Sequence, residues 1–314
     1  MPAKAKFYLN GGGLFTVQGR WWDGQVELLF GELGADIYNP WRESKEAQLR
    51  ANIPAGEVRK AVFVSDRKGV DVSQGVVMLA EGAAGEVSSG TAWETGYASA
   101  RDKLVLCMRT DLRGPLNHLL QECLFERKVC GSLDELRELA TRAIESLVRS
   151  KTTPTSYDPP SHPRNIGKVF LSAPYFTTPE EAFTKELERS LSKLGFDVVF
   201  PPGARGVRDG LSSGRDGAWS ALFREKVRCL DECDAMVALL DGADGNSETG
   251  WDCGYAYSKY KPVFGMRTDL RTLGDLGGRV NLMIEQSLVG TKLCGSAVEV
   301  GELLKAWDRG ATKS

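Results

Sequence analysis

Residues 88–113 read SSGTAWETGYASARDKLVLCMRTDLR, and residues 246–271 read NSETGWDCGYAYSKYKPVFGMRTDLR. The two segments align at a constant offset of 158 residues. A repeat of this length indicates a duplicated domain and not a turn motif. Within it, Glu94 aligns with Asp252, whose side chain is one methylene shorter. This difference predicts one working copy and one altered copy.

Short apolar segments alternate with amphipathic ones along both copies, as β-strands alternate with α-helices. The alternation predicts an α/β fold: two tandem flavodoxin-like or Rossmann-like domains, each a parallel sheet flanked by helices. A stretch rich in Pro, Ser and Thr at 151–165 is predicted as a linker between domains at 1–150 and 166–314. We expect the two copies to pack as an internal pseudo-dimer.

Helical periodicity places helices over 24–33, 61–72 and 91–100 in the first half, and over 178–194, 223–233 and 249–259 in the second. The helix over 91–100 follows the strand predicted over 76–80. Folds of this class bind ligands at the carboxyl ends of their strands, near the switch point of the sheet. A functional site is therefore expected where the duplicated segment begins.

Composition is typical of an ordinary globular protein. The chain is 42% hydrophobic and 26% charged, with a net charge of −2 and a pI near 5.9. This balance gives no reason to expect binding to nucleic acid. The sequence shows neither an apolar stretch that spans a bilayer nor a secretory signal, so we expect no membrane association and a cytoplasmic location.

The cysteines and histidines do not form a pattern of metal ligands. Seven cysteines are scattered, and the closest helical pair is Cys229 and Cys233. No second pair follows at the spacing of a zinc site, so we expect free, buried thiols and no metal. The histidines are His118 and His162, and their positions do not indicate a catalytic triad.

Glu94 has two local interpretations. Thr91 is predicted as the cap of its helix, which would place the carboxylate in the first turn, where the helix dipole favours the ionised form. An ionised carboxylate at the mouth of a crevice is suited to attack an electrophilic carbon. Alternatively, an acid three residues after a threonine is typical of a capping box.

The run GTAWETGYA at 90–98 resembles the signature of the nucleoside 2-deoxyribosyltransferases, in which the glutamate is the nucleophile. Three further features of that family have similar counterparts here. They are a first strand with a small-residue loop ending in an aromatic residue (8–15 and 170–176), a Phe-x-x-Asp helix (63–66), and an Asn-Leu-Met-like segment (117–119 and 281–283). The resemblance covers nearly all of both halves.

The resemblance implies roles for three residues of the first half. Glu94 matches the nucleophile, and Asp66 matches the acid that positions or protonates the base. Ser88 stands where some members have an aspartate that contacts the base. The implied chemistry is a retaining glycosyl transfer through a covalent deoxyribosyl intermediate.

The loop after the first strand supplies further candidates. Gly12 lies in a triple glycine that lacks the spacing of a phosphate-binding loop, so we expect a close approach of the backbone to a sugar. Tyr8 and Phe15 are candidates to stack on the base, with ordinary core packing as the alternative.

The second copy departs from the family pattern. Asp252 replaces the nucleophile, Lys226 stands at the Phe-x-x-Asp position, and Asn246 matches Ser88. The loss of an acid to Lys226 and the shorter side chain of Asp252 would each displace a reacting atom, and displacement by about 1 Å can lower a rate about a hundredfold. The second half is therefore predicted to have lost catalysis.

Asn281 gives the second copy a reason to persist. In the family, the matching asparagine reaches a neighbouring subunit's site and contacts the sugar. We expect Asn281 to complete the pocket around Glu94 in the same way, with a helix N-cap as the alternative role.

The sequence thus predicts a nucleoside 2-deoxyribosyltransferase that acts on nucleosides and free bases and needs no cofactor. The first alternative is a related hydrolase of nucleosides or nucleotide 5′-monophosphates. The second is a non-catalytic nucleoside-binding protein. A homo-oligomer of the pseudo-dimer is also possible on the same resemblance.

Overall fold

The computed structural model describes residues 4–11, 17–43, 55–81, 86–111, 114–150, 165–175, 177–200, 217–242, 244–270 and 279–310. Contacts along the chain divide it into two compact units, Met1–Asp158 and Pro159–Ser314. The predicted linker at 151–165 lies, apart from its last residue, outside the described part of the chain.

The first unit alternates strands with helices. Its strands are β1 (Lys6–Gly11), β2 (Asp36–Tyr38), β3 (Gly75–Leu79), β4 (Leu104–Met108) and β5 (Val129–Cys130). Its helices are α1 (Val17–Glu32), α2 (Ala55–Val72), α3 (Ser89–Ser99), α4 (His118–Glu122) and α5 (Leu133–Ser150).

The second unit repeats this order. Its strands are β6 (Lys168–Ser172), β7 (Asp197–Val199), β8 (Ala235–Leu239), β9 (Val263–Met266) and β10 (Leu288–Cys294). Its helices are α6 (Thr178–Lys193), α7 (Ala218–Glu232), α8 (Ser247–Ser258), α9 (Leu282–Ser287) and α10 (Ala297–Asp308).

Each unit contains one five-stranded parallel sheet. The strand order is β2-β1-β3-β4-β5 in the first unit and β7-β6-β8-β9-β10 in the second. This is the flavodoxin-like order, in which the chain reverses its direction of winding between the first and third strands. The predicted fold class is confirmed: two α/β domains, each a parallel sheet flanked by helices.

The central strands explain why these sheets form. Every residue of β3 and β8 is buried, as expected for strands covered by helices on both faces. Cores built from the strands and the inward faces of the helices fill each unit. None of the helices in the described ranges is long and apolar enough to cross a membrane.

The predicted helices of the first half start too late. Helices α1, α2 and α3 begin at Val17, Ala55 and Ser89, whereas periodicity placed their starts at 24, 61 and 91. The reason is physical: residues 17, 18 and 20 of α1 and residues 57 and 60 of α2 are exposed, so apolar periodicity starts only when the helix reaches the core. Phe63 on α2 is among the first residues of that helix to be buried.

Candidate active site

The candidate site lies where β1 and β3 meet, at the switch point of the first sheet. Tyr8 on β1 is aligned with Val76 on β3, and α3 follows β3 with Glu94 on its inward face. The carboxyl ends of these strands and the start of α3 form the position where flavodoxin-like folds bind ligands.

Tyr8 holds the carboxylate of Glu94. The Tyr8 hydroxyl donates a hydrogen bond of 2.5 Å to Glu94 Oε1. Tyr8 is fully buried and Glu94 is 8% exposed. The Tyr8 ring stacks on Tyr38 with a centroid distance of 5.7 Å. The ring and the hydroxyl of Tyr8 therefore each have a partner that positions them. Stacking of Tyr8 on a nucleobase stays a prediction.

A second carboxyl group lies close to Glu94. Asp66, on α2, is 9% exposed. Burial raises the pKa of Glu94 well above its usual range, and the charge of Asp66 raises this pKa further. The hydrogen bond from Tyr8 acts in the opposite direction and lowers the pKa of Glu94. Tyr8 therefore favours the ionised carboxylate that nucleophilic attack requires.

Helix α3 corrects two predictions about Glu94. The N-cap is Ser88, whose hydroxyl accepts a hydrogen bond of 3.1 Å from the Thr91 backbone, so Thr91 is not the cap. Glu94 is consequently the sixth residue of α3 and lies beyond its first turn. A capping-box role is wrong for Glu94, and the helix terminus contributes little to its ionisation.

Sequence reasoning missed Asn10. Its amide nitrogen donates to the Thr91 carbonyl at 2.8 Å and to Thr95 Oγ1 at 3.2 Å, which ties the end of β1 to α3. The Asn10 side chain is 1% exposed. A polar residue in an otherwise apolar strand was the signal that could have found it, because a buried amide N–H needs a hydrogen-bond acceptor nearby.

The second unit keeps the framework of this site. Phe63 packs edge-on against Trp93, and Phe223 packs in the same way against Trp251, at centroid distances of 5.5 and 5.3 Å. In both units the tryptophan stacks on a tyrosine one turn later, at 5.2 and 5.0 Å. The two copies therefore share their supporting aromatic contacts and differ at Glu94 and Asp252 and at the residues that contact them.

The reactive groups of the second unit are held in an ion pair. Lys226 on α7 lies 2.9 Å from Asp252 Oδ1, and the Ser172 hydroxyl donates a hydrogen bond of 2.8 Å to Oδ2 of the same carboxylate. Lys226 also lies 3.4 Å from Glu248. Asp252 is 2% exposed. Its Oδ1 contacts Lys226, and its Oδ2 contacts Ser172.

Strand β6 has Phe170 where β1 has Tyr8, and the hydroxyl that contacts Asp252 comes from Ser172, two residues later. The pairing of β6 with β8 aligns Phe170 with Met236, as Tyr8 is aligned with Val76 in the first sheet. Burial raises the pKa of Asp252, whereas Lys226 and Ser172 lower it. A carboxylate that is paired with a lysine is a weaker nucleophile, because the lysine stabilises its negative charge.

The remaining predicted residues have varied positions. Ser88 caps α3, and Asn281 caps α9, where its side chain accepts a hydrogen bond of 2.9 Å from the Met283 backbone. Gly12 and Phe15 lie outside the described residues. No role in binding is assigned to these four residues by the contacts of the described chain.

Within the described residues, no group of three or more His, Cys, Asp and Glu side chains could hold a metal ion. All seven cysteines are free, and Cys229 and Cys233 are buried as predicted. Among the described residues, the site of the first unit includes Glu94, Asp66, Tyr8 and Asn10.

Comparison with known proteins identifies what the chain is similar to. The model of the nucleoside 2-deoxyribosyltransferase family matches the chain twice, at residues 7–131 and 169–293. Each matched stretch runs from the first strand of a sheet to its last. No curated protein matches the chain.

Solved structures of low sequence identity are also similar. A 2-deoxyribosyltransferase from Bacillus psychrosaccharolyticus is 21% identical over 43% of this chain and 90% of its own, with a TM-score of 0.34. A conserved protein from Enterococcus faecalis V583 is 20% identical over 46% and 99% of the two chains, with a TM-score of 0.36. A 2-desoxiribosyltransferase from Leishmania mexicana is 17% identical over 44% and 97%, with a TM-score of 0.34.

Proposed function

The chain belongs to the nucleoside 2-deoxyribosyltransferase family, and we propose that its first half exchanges the base of 2′-deoxynucleosides through a covalent deoxyribosyl–Glu94 intermediate. Nucleosides and free bases are then its substrates and products. The second half, in this proposal, does not catalyse the reaction.

One observation carries the proposal: the buried carboxylate of Glu94 with Tyr8 on one side and Asp66 near it. Two carboxyl groups that lie close together can act as an acid and a nucleophile. Their mutual repulsion makes one of them hold a proton while the other is ionised. The second half supports the assignment by contrast, because Lys226 there binds the carboxylate that would attack.

In the first step, a Glu94 carboxylate oxygen attacks C1′ of the deoxynucleoside. The bond between C1′ and the base nitrogen breaks, and the base leaves with its electron pair. Asp66, which carries the one proton of the pair when Glu94 is ionised, supplies that proton to the departing base and becomes ionised. Tyr8 holds the carboxylate in the orientation for attack, which contributes through proximity.

In the second step, a nitrogen of the incoming base attacks C1′ from the face that the first base left. The ester bond between C1′ and Glu94 breaks, and the carboxylate is restored. Asp66 takes up the proton that the incoming base loses. Two displacements at the same carbon retain its configuration.

A hydrolase would use the same first step and water in the second. Incubation of a 2′-deoxynucleoside with and without a second free base separates the two activities. New deoxynucleoside formed only with the second base supports the proposal. Release of free deoxyribose at the same rate in both reactions indicates the hydrolase. Binding without turnover in either reaction indicates a non-catalytic nucleoside-binding protein.

A further inference from the structure

Helix α1 is apolar on two opposite faces. Val26, Leu29 and Phe30 are buried in the core of the first unit. On the other face, Trp21 is 60% exposed and Leu28 is 63% exposed. A helix on the surface of a domain normally has one apolar face, and a second apolar face indicates a second packing partner.

The residues along this outer face, exposed or half-buried, form a regular seam. The residues are Val17, Trp21, Gly24, Leu28 and Gly31, named here the outer stripe. They follow one another at intervals of four, three, four and three residues, the spacing of a helix that packs along another helix. Val17, at the start of the stripe, is 77% exposed.

The two glycines of the outer stripe are not required by the packing of the first unit. A Cβ atom at Gly24 or Gly31 would have no heavy atom within 4 Å. Each glycine costs about 1 kcal/mol of helix stability relative to alanine. Glycines facing away from their own domain are explained if another backbone or a large side chain approaches them.

We propose that the outer stripe packs against the outer stripe of a second copy of this chain, with the two α1 helices antiparallel. The stripe is complementary to itself in that arrangement. If Leu28 faces Gly24 of the other copy, the same register places Trp21 opposite Gly31, because both pairs are centred on position 26. A large side chain then faces a glycine in both pairs. Each contact occurs twice, once on either side of the two-fold axis.

The polar neighbours of the outer stripe allow the pairing. In an antiparallel pair centred on position 26, Gln25 lies near Gln25 of the other copy, and amide side chains can bond to each other. Glu27 is already neutralised, because it lies 2.8 Å from Arg42 and accepts a hydrogen bond of 2.6 Å from Asn39. Repulsion between like charges at this position is therefore reduced.

The matching helix of the second unit has a different surface. On α6, Lys185 pairs with Glu181 and Arg189 pairs with Glu186, all in positions that face solvent. Charged pairs of this kind keep a helix face in water. The outer stripe therefore belongs to the first unit, and the proposed dimer has one contact per chain.

The contact is small, so we expect a reversible dimer. A single pair of helices lies at the low end of the areas that stable interfaces bury. Sedimentation equilibrium of the full chain over a range of concentrations measures this directly. We expect the wild-type chain to pass from monomer to dimer, and Leu28→Glu to weaken the dimer by about a hundredfold, since two charges would be buried.

The glycines give a sharper test. Gly24→Leu should raise the Tm of the monomer, because leucine favours helix and meets no neighbour, yet it should weaken the dimer by filling the space for Leu28. The double variant Gly24→Leu with Leu28→Gly places the leucine at position 24 and the glycine at position 28. A leucine again faces a glycine, so most of the association should be restored. Val148→Glu, at a residue that is 72% exposed on α5, is the matched control and should dimerise normally.

A wild-type chain that stays monomeric well above micromolar concentration would overturn the proposal. So would a dimer that Leu28→Glu and Val148→Glu weaken equally, because the contact would then lie elsewhere. A dimer that Gly24→Leu strengthens would also contradict it, since the glycines would not be approached by the second copy.

Discussion

At the scale of the residue, four of the exchanged side chains lie on the strands and helices around Glu94 and Asp252. The exchanged pairs are Tyr8 and Phe170, Asn10 and Ser172, Asp66 and Lys226, and Glu94 and Asp252. In the first half, a hydroxyl donor and a carboxyl group surround the glutamate. In the second, a cation binds the aspartate. The changes act together, because each removes a different requirement of nucleophilic attack.

Tyr8→Phe tests the hydroxyl by giving the first half the residue of the second. The Tyr8 hydrogen bond lowers the pKa of Glu94, so its loss should raise that pKa further. Since attack needs the ionised form, the acidic limb of the pH–rate profile should move to higher pH. The rate at neutral pH should fall roughly tenfold to a hundredfold, the value of a hydrogen bond to a charged group.

The same variant should leave the fold intact, because Phe170 occupies the matching position in the second sheet. A Tyr8→Phe enzyme with an unchanged acidic limb would show that Tyr8 does not control the protonation of Glu94.

At the scale of the element, helices α7 and α8 are joined by the ion pair between Lys226 and Asp252. Lys226 is 3% exposed and lies 4.8 Å from the centre of the Trp251 ring. Burial lowers the pKa of Lys226, but Asp252 and Glu248 raise it, and the net direction is upward. This direction favours the charged form of Lys226, and the loss of one partner should leave the other buried without its counter-charge.

We expect Lys226→Met to lower the free energy of unfolding by about 3 kcal/mol or more, because Asp252 would remain buried without its cation. The double variant Lys226→Met with Asp252→Leu should recover most of this loss. Urea unfolding of the wild type, Lys226→Met, Asp252→Leu and the double variant measures the coupling energy between Lys226 and Asp252. Single variants as stable as the wild type would show that the pair contributes nothing to the packing of α7 on α8.

Prediction of the elements from sequence succeeded for the central strands, missed the edge strands β5 and β10, and placed the starts of α1, α2, α3 and α7 too late. The buried strands β3 and β8 are apolar throughout, so their position follows from composition alone. The start of α3 was misplaced, since Ser88 and Thr91 are equally good caps in sequence and backbone geometry decides between them. The pairing of Asn10 with α3 is a contact between residues 81 and 85 positions apart, which no local pattern contains.

At the scale of the whole molecule, duplication left two sheets of the same order and two sites of different chemistry. The duplicated fold could be predicted because the repeat is visible in the sequence. The ion pair of the second half could be predicted only in part: Lys226 and Asp252 were noticed as departures, whereas the Ser172 hydrogen bond depends on the sheet. That the second half supplies Asn281 to the pocket around Glu94 stays a prediction.

Asn281 and Asn117 provide a matched test of that prediction. Each caps a short helix and accepts a hydrogen bond of 2.9 Å from the backbone two residues later. Replacement of either by alanine should cost about 1 kcal/mol of stability. If Asn281 also contacts the sugar, Asn281→Ala alone should lower base exchange by about tenfold or more. Equal effects of the two variants on stability and on exchange would limit Asn281 to capping.

The position of a covalent intermediate tests the central claim most directly. The full chain is mixed with a 2′-deoxynucleoside, quenched in acid, digested and examined by mass spectrometry. The account predicts one deoxyribosyl group on the peptide that contains Glu94, none on the peptide that contains Asp252, and no adduct in Glu94→Ala. An adduct on Asp252, or base exchange that continues in Glu94→Ala, would contradict it.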